Sequence, residues 1–251
     1  MSNNDKVAVI FGGSSGIGKA ITLGLAENGS VVVPVSRTQS KVNNVIEELN
    51  SRDLRCMGLT ANVTNKKEVE NALRTVLEEF GHVNSLINSA GTHLKKKTID
   101  ITEEEWDHVL DVNLKGTFFT SQVFGKQMIK QKQGAIVNIA SLAAHVALLE
   151  ITPYCVSKGG VVSLTKALAI EWARYNVRVN CISPGFFRTP LNEKVLAIPE
   201  RYERIISHTP FHRLGKTSEL VGAAIYLTSD ASSFVTGTNI TVDGGFLAWG
   251  I

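Results

Sequence analysis

Residues 6–18 read KVAVIFGGSSGIG. Lys6–Phe11 is a short run of β-branched and apolar residues, which predicts a strand buried on both faces. Gly16–Asn28 carries a helical period and stops at Gly29, a C′ glycine by position. Between the two lies the cluster Gly12, Gly13, Ser14, Ser15, Gly16, Ile17 and Gly18, spaced Gly-x-x-x-Gly-x-Gly. Glycines permit a tight turn and close backbone approach. The helix N-terminus behind them offers free N–H groups and the positive end of its dipole to a pyrophosphate. Taken alone, the cluster also reads as an ordinary flexible turn, and the residues downstream have to decide.

Outward from this turn, strand and helix patterns alternate. Ser30–Ser36 (SVVVPVS) predicts a second strand, residues 40–51 a polar helix, and Arg55–Leu59 a weak third strand. Asn65 and Glu68 have capping-box spacing and open a helix that runs to Phe80. Ser85–Asn88 continues the sheet, and Thr102 with Glu105 caps a long helix to about Lys130. Ala135–Ala140 is a strand, and Thr152 and Pro153 are placed as Ncap and N1 of a helix to about Arg174. Val177–Ile182 and Ile240–Val242 complete the strands. This alternation predicts an α/β fold of the Rossmann type: a doubly wound parallel sheet of about seven strands with helices on both faces. No repeat, low-complexity tract or linker interrupts it, so residues 1–251 are expected to form a single domain. The least regular stretch, 186–216, is rich in Phe, Pro, His and Arg and is the expected substrate lid.

Composition narrows the function classes. Apolar residues make up 43% and charged residues 20%, which excludes a disordered or fibrous chain. Lys and Arg number 26 against 23 Asp and Glu, and a net charge of +3 is too weak to make nucleic acid the expected partner. The run Lys95-Lys96-Lys97 is followed at once by Asp100 and Glu103-Glu104-Glu105, the pattern of a solvated loop. Cys56, Cys155 and Cys181 are odd in number and contain no Cys-x-x-Cys pair, so neither a disulfide framework nor a zinc site is expected, and no metal. The N-terminal apolar run is too short for a signal sequence or a membrane span, and the expected location is cytoplasmic.

Past the second strand, a dinucleotide fold that binds the ribose 2′-OH places an acid. Here no acid stands between Glu27 and Glu47; Arg37 is present instead, flanked by Ser36 and Thr38. A guanidinium matches a phosphate with paired hydrogen bonds. The expected cofactor is therefore NADP(H) rather than NAD(H). Farther along, Tyr154 and Lys158 are four apart near a helix start, which puts both on one face. A nearby ammonium is expected to lower the phenol pKa and let it pass a proton to or from a substrate oxygen. Ser141 lies at a strand end, where its hydroxyl can donate to a carbonyl oxygen. Tyr-x-x-x-Lys alone is a weak signal; its weight comes from standing downstream of the glycine turn.

These pieces resemble the short-chain dehydrogenase/reductase family over nearly the whole chain. In family order they are GGSSGIG at 12–18, NSAG at 88–91, Asn113 within DVNLKG, Ser141, YCVSK at 154–158, RVNCISPG at 178–185 and TVDGG at 241–245. The resemblance implies that Tyr154 is the general acid in ketone reduction and the base in reverse. Lys158 would tune it and hold the nicotinamide ribose, and Ser141 would polarise the carbonyl. Asn113 would kink its helix and hold a water that links Lys158 to solvent. Pro184, Gly185, Phe187 and Thr189 would hold the nicotinamide carboxamide and phosphate; Asn88, Ala90, Gly91, Asn62 and Val63 would serve the adenine and ribose side. Three positions depart from the family pattern: Phe11 for Thr, Ser89 for Asn, and Asn62 for Asp.

The substrate is less legible. The segment 142–153 would wall its side, with Ala143, His145 and Leu149 joined by Phe186 and Leu191. The C-terminal part of the chain, from ITPYCVSKGG at 151–160 to VGAAIYLTSDASSFVTG at 221–237, resembles the gluconate 5-dehydrogenase branch, yet the wall at 142–153 lacks the charges a sugar carboxylate requires. A small or medium ketone of moderate polarity fits it better, and a 3-oxoacyl-carrier-protein reductase is the other serious reading. A non-catalytic sensor or scaffold is disfavoured, because Tyr154, Lys158, Ser141 and Asn113 all stand. The resemblance implies a homotetramer, and Phe118, Phe119, Phe124, Leu164, Leu168 and Trp172 exceed what one helix face against the sheet requires, a surplus expected at a subunit contact.

Overall fold

The computed structural model describes residues 6–249. Its centre is β1 (Val7–Phe11), buried at all five positions. The strand is apolar throughout because both faces are covered, and alternate residues feed two cores. Val7, Val9 and Phe11 pack with Val33, Val76, Phe124 and Trp172 on one side. Ala8 and Ile10 pack with Ile21, Leu25, Leu49 and Leu227 on the other. The other strands are β2 (Val31–Ser36), β3 (Leu59–Thr60), β4 (Ser85–Asn88), β5 (Gly134–Ile139), β6 (Val177–Pro184) and β7 (Asn239–Val242), in the order β3-β2-β1-β4-β5-β6-β7. Every neighbouring pair is parallel. The chain reverses its winding between β1 and β4, and a crevice at such a switch point is where ligands bind in open parallel sheets.

The expected strand at 55–59 is mostly absent, and Pro34 supplies the reason. Val32 turns both its backbone groups toward β3, donating to Arg55 O (3.2 Å) and accepting from Met57 N (3.1 Å). Two residues on, Pro34 has no N–H to offer on that edge. The ladder breaks, leaving a lone Val32–Cys56 bridge before β3 resumes at Leu59.

Nine helices surround the sheet among the described residues: α1 (Gly16–Glu27), α2 (Gln39–Asn50), α3 (Lys66–Phe80), α4 (Glu103–Leu110), α5 (Gly116–Gln131), α6 (Thr152–Trp172), α7 (Glu193–Leu196), α8 (Pro199–Ser207) and α9 (Val221–Thr228). Gly29 closes α1 at φ +90°, with Gly29 N on Ala26 O and Ser30 N on Leu25 O. The Thr102–Glu105 capping box is present in full. The expected long helix to Lys130 is two helices joined by a π turn, Asp111–Lys115, centred on Asn113. Thr152 is the first helical residue of α6 rather than its cap; Ile151 is the N-cap, and Thr152 Oγ1 bonds Thr98 Oγ1 (2.7 Å). The stretch 186–216 contains α7 and α8 rather than irregular chain alone.

Two expectations about packing need correction. Phe124, Leu168 and Trp172 are not surplus; they are core, and the Trp172 ring lies where a Cβ on Gly125 would fall. Lys95 and Lys96 are not merely solvated: they pair with Glu150 (3.2 Å) and Glu105 (2.7 Å).

Candidate active site

The C-terminal ends of β1, β2, β4, β5 and β6 open on a cleft of about 450 Å³. Its floor is the glycine turn. Gly12 sits at φ +78°, and a Cβ there would lie 2.6 Å from Ala90 N on the adjoining strand end. A Cβ on Gly18 would fall on the Gly12 carbonyl oxygen, so only glycine lets α1 approach the turn this closely. Ser14, Ser15, Gly16 and Ile17 complete this wall. The N-cap of α1, Ser15, makes no side-chain cap bond, and no acid stands in the first turn. The helix end is thus left open for an anion.

One end of the cleft is lined by Ser36, Arg37, Thr38, Lys41, Asn62 and Val63. Neither Arg37 nor Lys41 has an acidic partner among the described residues, and no Asp or Glu belongs to the described lining, which holds Arg37, Lys41 and Lys158 as its cations. Lys41 was missed by sequence reading. It lies in the first turn of α2, whose cap Thr38 makes no side-chain cap bond and whose first turn has no acid. Asn62 turns its carbonyl oxygen to Thr64 N (3.2 Å), while its own N–H donates to Glu68 (2.7 Å).

The other end holds Ser141, Tyr154, Lys158, Pro184, Gly185, Phe187, Thr189 and Leu191. Lys158 is only 5% exposed; its Nζ donates to Ile139 O (2.7 Å) and stands 5.8 Å from the centre of the Tyr154 ring. Burial pulls the Lys158 ammonium down to about 8. Burial likewise pushes the Tyr154 phenol above its ordinary value, and a hydrogen bond from Ser141 only partly opposes this. The expected lowering of Tyr154 by its cationic neighbour is therefore not found in this state. Ser141 Oγ accepts from Ala143 N (3.1 Å), so its hydroxyl proton is left to donate, here toward Tyr154.

Asn113 is fully buried behind this end. Its side chain clamps Thr92, accepting from Thr92 N (2.8 Å) and donating to Thr92 O (2.9 Å), and also donates to Ser157 Oγ (3.0 Å). It thus ties the loop after β4 to α6. Gly91 lies in that joint: a Cβ there would stand 3.4 Å from Asn113 Oδ1 and 3.8 Å from Lys158 Nζ. Asn192, also missed, organises the opposite wall by accepting from Thr189 N (3.0 Å) and donating to Phe187 O (2.7 Å).

Some expected residues lie elsewhere. Asn88 is buried below the cleft, donating to Asn138 (2.8 Å) and Ser121 (3.0 Å). Of the five expected substrate residues, only Leu191 lines this cleft. Ala143 is buried behind Ser141, and Leu149 is 78% exposed. His145 is held at the sheet end by Ser183 (3.0 Å) and Asn239 (3.1 Å). Phe186 packs on Phe246 (5.5 Å). Among the described residues no three His, Cys, Asp or Glu side chains cluster as metal ligands would, and no helix is long and apolar enough to cross a membrane.

A family model described as enoyl-(acyl carrier protein) reductase matches residues 12–247. The chain belongs to the short-chain dehydrogenase/reductase family. It is 39% identical over 244 residues to an NAD-dependent glycerol dehydrogenase of Listeria innocua, covering 96% of this chain and 94% of the relative. It is 37% identical to a 3-oxoacyl-[acyl-carrier-protein] reductase of Thermotoga maritima, covering 96% and 98%. A crystal structure of a gluconate 5-dehydrogenase from Burkholderia cenocepacia in complex with NADP and tartrate superposes with TM-score 0.95 at 30% identity, covering 100% of both chains. As a member of this family, the chain is an NAD(P)-dependent oxidoreductase. The open cleft, whose described lining holds no carboxylate, fits a dinucleotide, and the glycines let the turn and α1 pack closely beneath it.

Proposed function

We propose that this short-chain dehydrogenase/reductase uses NADP(H) to interconvert a ketone and a secondary alcohol on a small or medium substrate, a keto sugar acid included. The carrying observation is the joining, in one cleft, of Arg37 and Lys41 at one end with Ser141, Tyr154 and Lys158 at the other. The bound nicotinamide supplies or receives the hydride; the chain positions it and handles the proton. Ser141 donates to the substrate oxygen. Tyr154, whose raised pKa keeps it protonated near neutral pH, gives its proton to that oxygen in reduction and recovers it in oxidation. Lys158 offers a cation to the phenolate that remains. Asn113 holds the Thr92 loop and α6 in register, so that Lys158 keeps its place.

The choice of NADP(H) rests on the two unpaired cations and the uncapped start of α2. The glycerol dehydrogenase relative is named as NAD-dependent, so this choice needs its own test. Hydrogen bonds to charged groups are worth about 1.5–3 kcal/mol. Arg37→Ala is therefore expected to weaken NADPH binding about tenfold to a hundredfold, and Lys41→Ala to do so by a smaller factor, with NADH binding unchanged in both. Fluorescence titration of both reduced cofactors measures this; a wild-type preference for NADH would overturn the assignment.

A homo-oligomer, a tetramer as in the family expectation, is proposed on the apolar groove lined by Leu110, Leu114, Phe118 and Leu164 at the α4–α5 junction. Light scattering coupled to gel filtration is expected to give a multiple of 27.2 kDa; a monomer would contradict it.

A further inference from the structure

We infer that Lys95 and Arg201 form a carboxylate subsite at the mouth of the catalytic cleft, occupied in the structure by the chain's own Glu150. One oxygen of Glu150 receives both cations, Lys95 Nζ at 3.2 Å and Arg201 NH2 at 3.8 Å. None of the three belongs to the described lining of the cleft itself; each lies on a segment that also carries lining residues. Lys95 lies four residues past Gly91, which borders Lys158 and lines the cleft. Glu150 lies four residues before Tyr154, on the segment that starts at Ser141. Arg201 is on α8, which follows the cleft-lining Leu191 and Asn192 in the chain with α7 between. Four residues of chain reach at most about 14 Å, so both loop members are confined to the neighbourhood of the catalytic end.

An ion pair that merely decorates a surface contributes little, and two features set this one apart. Its members are all partly withdrawn from solvent, which weakens screening of the charges. Glu150 also sits at φ +64°, a left-handed conformation that a residue with a Cβ adopts at a cost, and Lys96 N holds it there by donating to Glu150 O (2.8 Å). The backbone is thus bent to present this carboxylate between two cations. The cluster carries two positive charges and one negative, so a second carboxylate is attracted to it, and Glu150 competes for the same donors. Among the described lining residues the end of the cleft beside Ser141 carries no cation other than Lys158, so an acid substrate finds its counter-charge at the mouth. The ligand class is a keto or hydroxy acid whose carboxylate is several bonds from the reacting carbon. This rests on the proposed ketone–alcohol chemistry at Tyr154.

The test is calorimetric binding to the NADP⁺-saturated enzyme of gluconate and sorbitol, which share a carbon skeleton and differ by the carboxylate. Gluconate is expected to bind at least tenfold tighter. Arg201→Met should bring gluconate to the sorbitol level, and Glu150→Gln, by removing the internal competitor, should tighten gluconate several-fold; sorbitol should respond to neither. Circular dichroism confirms that each variant is folded. Equal affinities, no measurable gluconate binding, or a Glu150→Gln variant that binds gluconate no better would overturn the subsite. Retained ketone turnover with NADPH in that case would leave the functional reading intact, whereas loss of gluconate preference in an enzyme without ketone turnover would strike both.

Discussion

Tyr154→Phe is expected to lower turnover of a ketone with NADPH by about 10²–10⁴-fold, the usual contribution of a positioned acid or base, with the Kd for NADPH changed less than about threefold. The change deletes one oxygen. The ring that remains keeps its place 5.8 Å from Lys158 Nζ, and Lys158 is held by Ile139 O rather than by the phenol. The cleft therefore keeps its shape and its cations. What goes is the proton donor, together with the bond from Ser141. Ser141 cannot replace it, because a serine hydroxyl is far too weak an acid to be left as an alkoxide. Stopped-flow turnover and fluorescence titration separate the two quantities. Turnover within tenfold of wild type would mean that the proton comes from elsewhere and that the role given to Tyr154 is wrong.

The regular part of this fold was legible because its signals are local. A five-residue apolar strand ending on glycines, a C′ glycine at 29 and a Thr–Glu capping box each report on a few neighbouring residues, and all three stand in the structure. What escaped depends on partners distant in sequence. The third strand is cut short by a missing donor at Pro34, on a different strand. The break at Asp111–Lys115 was legible only through the family resemblance, which placed a kink at Asn113; the local run otherwise reads as continuous helix. α9 reads VGAAIYLT, apolar on all sides, so no periodicity marks it as a helix; it is fixed by Val221 pressing on Gly24 of α1.

The site divides in the same way. Arg37 was legible from the absence of an acid after β2, but Lys41 was not, since a lysine in a polar helix is ordinary until the helix start is seen to face the cleft. His145, a titratable residue in an apolar segment, could contact a substrate or be a satisfied histidine, the reading its sequence context favoured; the chain turns it to Ser183 and Asn239, which satisfy it. The aromatic and aliphatic residues of α5 and α6 looked like surplus because a linear reading cannot show that Trp172 fills the space above Gly125. Lys95 read as solvated because the acids next to it in sequence were counted, while its partner Glu150 lies 55 positions away.

Gly18→Ala separates the two explanations of the glycine turn, ordinary flexibility and close approach. Were Gly18 simply a helical residue, alanine would stabilise α1 by up to about 1 kcal/mol through its propensity. The new Cβ, however, would fall on the carbonyl oxygen of Gly12 and within 3.1 Å of Ser89 Oγ. The oxygen belongs to backbone pinned on both sides. Gly12 N donates to Val35 O (2.8 Å), and a Cβ at Gly12 would already be 2.6 Å from Ala90 N, so the turn has no slack toward β2 or β4. Overpacking of this kind costs about 1–3 kcal/mol and outweighs the propensity gain. Relief requires α1 to back away from the turn, carrying its N-terminal N–H groups away from the phosphates. The expected result is a Kd for NADPH raised at least about tenfold together with a lower urea midpoint. A variant of greater stability and unchanged affinity would mean that glycine is here for flexibility alone, and the cradle argument would fail with it.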